Sequence, residues 1–126
     1  MKQVLHTEKA PAAIGPYAQG WKVGDMVYTS GQLGIDMETG KLAEGVEAQA
    51  KQALANLEAV LVKGGMKLAD VVKTTVFLAD MNDFAKVNKL YGMMIPAPFP
   101  ARSCVEVAAL PAGALVEIEA MALLNG

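Results

Sequence analysis

The sequence predicts an α+β fold: one mixed six-stranded sheet with two helices packed on one face. Three observations predict it. Segments rich in strand formers outnumber helical ones. Each helical segment carries a single apolar stripe, so each buries one side and leaves the other wet. The elements follow the order three strands, helix, strand, helix, two strands. One sheet with both helices on one side is the simplest layer arrangement for that order.

The elements justify themselves in turn. Met1 to His6 suits an edge strand. Lys9 to Tyr17 is irregular, because Pro11, Gly15 and Pro16 interrupt any ladder. Ala18 to Val23 and Met26 to Ser30 read as two strands around a turn at Gly24-Asp25. The second contains Val27-Tyr28-Thr29 and ends at Ser30-Gly31-Gln32, where a glycine implies a bend or a close approach of backbone to another group. Thr39-Gly40 marks a further turn. Gly45 to Lys63 is the clearest helix. Val46, Ala50, Ala53, Leu54, Leu57, Val60 and Leu61 form its stripe, and Glu47, Gln49, Lys51, Gln52, Asn56 and Glu58 form its polar face. Gly64-Gly65 supplies a left-handed stop. Val71 to Leu78 is mostly apolar, as a central strand requires. Asn82-Asp83 caps a second helix running to about Tyr91, with Phe84, Val87 and Leu90 or Tyr91 as its stripe. Gly92 to Pro98 reads as loop.

Two charged strands close the chain. In Phe99 to Ala108, proline opens the strand, and alternation puts Arg102, Cys104 and Glu106 on one face and Ser103, Val105 and Val107 on the other. In Val116 to Leu123, Glu117 and Glu119 share a face. Leu110 to Ala114 is the turn between them. The two strands are expected to pair antiparallel and to set Arg102 beside Glu117 or Glu119. With both helices on one side, the other sheet face lacks cover. Its apolar side chains imply a partner surface, met here by a second copy of the chain.

The totals narrow the function. The 126 residues fit one domain, 1–126, and 53% hydrophobic residues supply a core without staples. A net charge of −2 with no basic block gives no footprint for nucleic acid. One cysteine permits no internal disulfide, and one histidine, His6, does not suit a multi-histidine zinc centre, so no metal is expected. No apolar run approaches a membrane span, and the start lacks the apolar core of a signal peptide. The expected setting is therefore cytoplasmic. Phosphate-loop, dinucleotide and nucleophile-elbow patterns are missing.

Four stretches carry a resemblance. They are Ala10-Pro11-Ala12-Ala13-Ile14-Gly15-Pro16-Tyr17, Thr29-Ser30-Gly31-Gln32, Val72-Lys73-Thr74-Thr75-Val76-Phe77, and Pro100-Ala101-Arg102-Ser103-Cys104-Val105-Glu106-Val107 followed by Val116-Glu117-Ile118-Glu119-Ala120. In type, spacing and order the chain resembles the reactive intermediate deaminases (RidA, YjgF-like), essentially end to end. The resemblance implies a chorismate-mutase-like fold and a homotrimer with three clefts at its subunit interfaces. It implies hydrolysis of 2-iminobutanoate and 2-iminopropanoate, released by pyridoxal-phosphate-dependent dehydratases, to 2-oxo acids and ammonia. Isoleucine biosynthesis is one setting for that activity. The deaminase itself carries no cofactor.

By the same resemblance, Arg102 grips the substrate carboxylate, and the Gly31 N–H adds a donor. Glu117 and the Cys104 carbonyl hold the attacking water. Tyr17, Ser30 and Asn88 line the cleft. A planar guanidinium suits a carboxylate because it donates two parallel hydrogen bonds. Glu119 is the alternative acid, and only the family spacing favours Glu117. Cys104 has no evident histidine partner, so its backbone is assigned the role and its thiol is left open. Gly92 to Pro98 is shorter than is usual in the family, and Met93-Met94 stands in place of a common aromatic pair. The reading from another functional class is a regulatory trimer that binds small carboxylic acids without turning them over.

Overall fold

Residues 1–124 are described by a computed structural model. Seven strands and two α-helices follow in order: β1 (Lys2–Leu5), β2 (Gly20–Val23), β3 (Met26–Thr29), β4 (Gln32–Leu33), α1 (Gly45–Lys63), β5 (Val71–Leu78), α2 (Phe84–Met94), β6 (Ala101–Glu106) and β7 (Val116–Leu123). The sheet runs β1-β2-β3-β7-β5-β6, and β4 also pairs with β7. All neighbours are antiparallel except β5 and β6, which are parallel.

The seventh strand comes from the glycine bend after β3. Tyr28 pairs with Met121, and Gln32 pairs with Ile118. Three residues on one side therefore face two on the other, which is a β-bulge at Thr29-Ser30-Gly31. What the sequence presents as one strand end is one strand bent and resumed along β7.

Helix α1 lies against the sheet with its whole apolar stripe buried. Ala50, Ala53, Leu54, Leu57, Val60 and Leu61 are fully excluded from solvent. Each leucine so buried contributes about 1.5–3 kcal/mol. Gly65 takes a φ of +81°, and the Met66 N–H donates to the Leu61 carbonyl at 2.8 Å, which closes the helix end. Two residues of the expected polar face are buried instead. Asn56 Nδ2 donates to the carbonyls of Leu33 and Ile35 at 3.0 Å, and its Oδ1 accepts from Gln52. Gln49 Oε1 accepts from the Leu115 N–H, and its Nε2 donates to the Ala43 carbonyl. They bind the β4 segment and the entry to β7 onto the helix. A buried amide is stable only with such partners.

Helix α2 continues through Gly92-Met93-Met94, which the sequence reading assigned to loop. Glycine costs a helix interior only about 1 kcal/mol, and the Ile95 side chain beyond it is buried. The start differs as well: Asp80 caps a short turn over Met81–Asp83 by accepting from the Asn82 N–H.

The strand order corrects the expected pairing of the two charged strands. β5 stands between β6 and β7. The α2 crossover returns the chain parallel to β5 on its free side, and β7 fills the other side, so β6 becomes an edge. The helix-free face displays Val4, Trp21, Val23, Tyr28, Val105 and Leu123, each at least 38% exposed. No helix among the described residues is long and apolar enough to cross a membrane.

Candidate active site

Arg102 stands on the edge strand β6, opposite Thr74 of β5. Thr74 in turn faces Ala120 of β7. Cross-strand partners share a face, and this face is the helical side. Across the edge, helix α2 presents Phe84, Asn88 and Tyr91 at i, i+4 and i+7, the spacing of one helix face. The Arg102 guanidinium lies 4.8 Å from the Tyr91 ring centroid and 5.5 Å from that of Phe84. Its Nη1 donates to Asn88 Oδ1 at 2.8 Å. Asn88, Tyr91 and Arg102, with Gly92, Phe99 and Pro100, line a cleft of about 430 Å³.

The backbone beside Arg102 is equally placed for binding. The Val107 N–H donates to the Leu78 carbonyl at 2.9 Å. Alternate residues of a strand turn their backbone groups to opposite edges. Arg102, Cys104 and Glu106 therefore turn N–H and C=O toward the free edge of the sheet. The Cys104 side chain packs half-buried against the core. Burial pushes its thiol above the ordinary value, although the Arg102 cation opposes the shift. A neutral thiol is a weak nucleophile.

Glu117 belongs to a different surface. It faces Phe77 of β5, three residues along from Thr74, so it points to the helix-free side. Its carboxyl packs against the bulge: a methyl group built at Gly31 would lie 2.7 Å from the carboxyl carbon. Burial raises the Glu117 pKa, and the neighbouring Glu119 charge raises it further. A hollow of about 790 Å³ opens here, walled by Pro11, Ala12, Ile14, Tyr17, Ser30, Gly31 and Glu117 among others.

That wall is held by one buried and one half-buried side chain. Gln19 Nε2 donates to the carbonyls of Thr7, Ala10 and Pro11, and its Oε1 accepts from the Thr7 N–H. Ser30 Oγ donates to the Ala18 carbonyl at 2.5 Å. Ser30 thus anchors the chain leading out of Tyr17, while Tyr17 itself is 53% exposed at the rim.

One chain therefore brings together Arg102, Asn88 and the Cys104 backbone, and separately Tyr17, Ser30, Gly31 and Glu117. It does not join the two sets, contrary to the expected Arg102–Glu117 neighbourhood. Phe84 and Tyr91 are not legible as site residues, since aromatic residues on a helix stripe read as core, and Phe99 reads only as the start of a strand. The one available signal for Phe84 and Tyr91 is the i, i+4, i+7 spacing that includes Asn88. Among the described residues no three His, Cys, Asp or Glu side chains converge as metal ligands.

The family model described as endoribonuclease L-PSP matches residues 7–124. The chain belongs to this family. Among its relatives, the protein from Salmonella typhimurium named 2-iminobutanoate/2-iminopropanoate deaminase is 54% identical, over 98% of both chains. The crystal structure of the YjgF gene product from Escherichia coli is 49% identical, with a TM-score of 0.93 over 98% of this chain and 99% of that one. The structure of Escherichia coli TdcF with bound serine is 43% identical, with a TM-score of 0.94 over 98% and 99%. The L-PSP fold thus agrees with the α+β reading of the sequence, and the RidA and YjgF resemblance stands on the whole chain.

Proposed function

We propose that this chain, acting as a single domain over 1–126, is a metal-free 2-iminobutanoate/2-iminopropanoate deaminase. Its clefts would form between the subunits of a homotrimer. The observation that carries the reading is the division of the site. A carboxylate-gripping arginine and an acid of raised pKa stand on opposite faces of one sheet. Arg102 and the free backbone of Cys104 lie at an edge. Glu117 lies in a hollow on the face that lacks helical cover. A neighbouring subunit whose β6 edge reaches that hollow joins the halves. The exposed apolar side chains of the helix-free face support such an assembly. So does the 54% identical relative that carries the deaminase name.

The chemistry follows from the residues. Arg102 holds the carboxylate of the 2-imino acid with parallel N–H donors, and the Gly31 N–H of the facing subunit adds another. Tyr17, Ser30 and Asn88 line the cleft. A water held by Glu117 and the Cys104 carbonyl adds through its oxygen to the iminium carbon, as Glu117 takes one of its protons. The product is a tetrahedral carbinolamine. Glu117 returns the proton to nitrogen, the C–N bond breaks, and ammonia leaves. The hydroxyl gives its proton to the departing ammonia as the 2-oxo acid's C=O forms, which leaves ammonium. The iminium carbon is already electrophilic, so this route needs no cofactor.

The pocket suits a small anion, and the net charge of −2 without a basic block supports a small acid over RNA as ligand. The absence of a long apolar helix among the described residues fits a cytoplasmic enzyme beside threonine or serine dehydratases, with isoleucine biosynthesis as one setting. Serine bound to TdcF favours one other reading, a trimer that binds small carboxylic acids without turnover. The test couples a threonine dehydratase to semicarbazide trapping of the imine. The unmodified protein should lower trapping, and Arg102→Ala and Glu117→Gln should abolish that effect. Trapping unchanged by the unmodified protein refutes the deaminase. Full activity in Glu117→Gln refutes the assigned base.

A further inference from the structure

We propose that Phe84 and Tyr91 form an aromatic seat that fixes the plane of the Arg102 guanidinium, making both of them positioning residues for the substrate carboxylate. The inference rests on the carboxylate-gripping role given to Arg102 above. Both rings lie within the roughly 6 Å reach of a cation–π contact, at 5.5 and 4.8 Å. They come from one face of α2, with Asn88 between them, and Asn88 Oδ1 takes one guanidinium N–H. The remaining donors stay available for a carboxylate.

The seat is itself anchored. The Tyr91 hydroxyl is hydrogen-bonded to the Thr74 hydroxyl at 2.6 Å, and both residues are buried. Thr74 is also the cross-strand partner of Arg102. Thus the strand beneath the arginine holds the ring on which its guanidinium rests. An exposed arginine on an edge strand otherwise samples many rotamers and loses them on gripping a ligand. Holding the guanidinium on two rings removes that loss in advance. Phe84 is partly buried and packs against the core, and the same ring also carries the guanidinium at 5.5 Å.

Binding of 2-oxobutanoate to the full-length protein, read by NMR titration, tests the seat directly. Phe84→Leu should raise the dissociation constant about tenfold, the size of a partly desolvated cation–π contact. KM for the imine should rise by a similar factor with kcat changed less. Phe84→Tyr should restore binding. Tyr91→Phe, which keeps the ring but frees it from Thr74, should weaken binding by a smaller factor. In an Arg102→Ala background Phe84→Leu should have no further effect, because the ring acts through the arginine. A folded Phe84→Leu protein with unchanged affinity overturns the seat, as does an equal loss with and without Arg102. If Arg102→Ala alone leaves 2-oxobutanoate binding intact, the carboxylate grip fails and the seat fails with it. If Arg102→Ala abolishes binding while Phe84→Leu and Tyr91→Phe do not weaken it, only the seat is wrong.

Discussion

Subunit mixing separates a site built within one chain from a site shared between chains. Arg102→Ala removes the proposed carboxylate grip, and Glu117→Gln removes the proposed base, so each variant alone should be inactive. Within a chain the two residues occupy opposite sheet faces, because their β5 partners, Thr74 and Phe77, lie three residues apart. On the proposed shared-cleft reading, a working cleft draws Arg102 from one subunit and Glu117 from its neighbour. Denature the two variants together in equal amounts and refold them. Half of all clefts then receive an intact arginine, and half of those face an intact glutamate. About a quarter of normal deaminase activity should return, as combinatorial pairing in a cyclic assembly requires. The assay is dehydratase-coupled semicarbazide trapping, with each variant refolded alone as the control. No recovery in a mixture shown by mass spectrometry to contain hybrid assemblies would refute the shared cleft. Such a result would place both groups of each site on one chain.

Other expectations follow from single residues. Gly31→Ala sets a methyl group 2.7 Å from the Glu117 carboxyl carbon, so the acid must move. Displacement on the order of 1 Å costs about 100-fold in rate, which kcat measurement would show with little change in melting temperature. Glu117 has a raised pKa and works ionised, so activity should fall with decreasing pH on a limb above the ordinary value of 4.5, and Glu119→Gln should move that limb lower. The folded chain binds this proton more tightly than the unfolded chain, so stability falls as pH rises through the same window. Glu117→Gln should remove that slope in pH-dependent denaturation. Cys104→Ser should keep most activity, and the thiol should react slowly with iodoacetamide at pH 7, because burial keeps it protonated. Asn56→Leu leaves the Leu33 and Ile35 carbonyls without their buried donors, at about 1–3 kcal/mol each, and should lower the melting temperature by roughly 10 °C.

The residue pattern alone determined a good deal. Alternation along β6 and β7 assigned Arg102 with Cys104, and Glu117 with Glu119, to shared faces, because side-chain period within a strand is local geometry. The α1 stripe is legible for the same reason, since 3.6-residue periodicity is written into the order of apolar residues. The glycine at Gly31 implied a bend or a close approach, and the structure has both: a bulge, and the Glu117 carboxyl packed on it.

Strand order was decided only in the tertiary structure. Whether β6 sits beside β7 or beyond β5 depends on which edges are free when the chain returns, and no local pattern encodes that choice. Placing β5 between them turned an expected Arg102–Glu117 pair into two half-sites on opposite faces. Burial of Gln49 and Asn56 was likewise invisible, because a polar side chain becomes an interior anchor only once distant carbonyls arrive to meet it. Phe84 and Tyr91 read as core for the same reason. A ring on a helix stripe shows its apolar area in the sequence, but the cation resting on it comes from another strand.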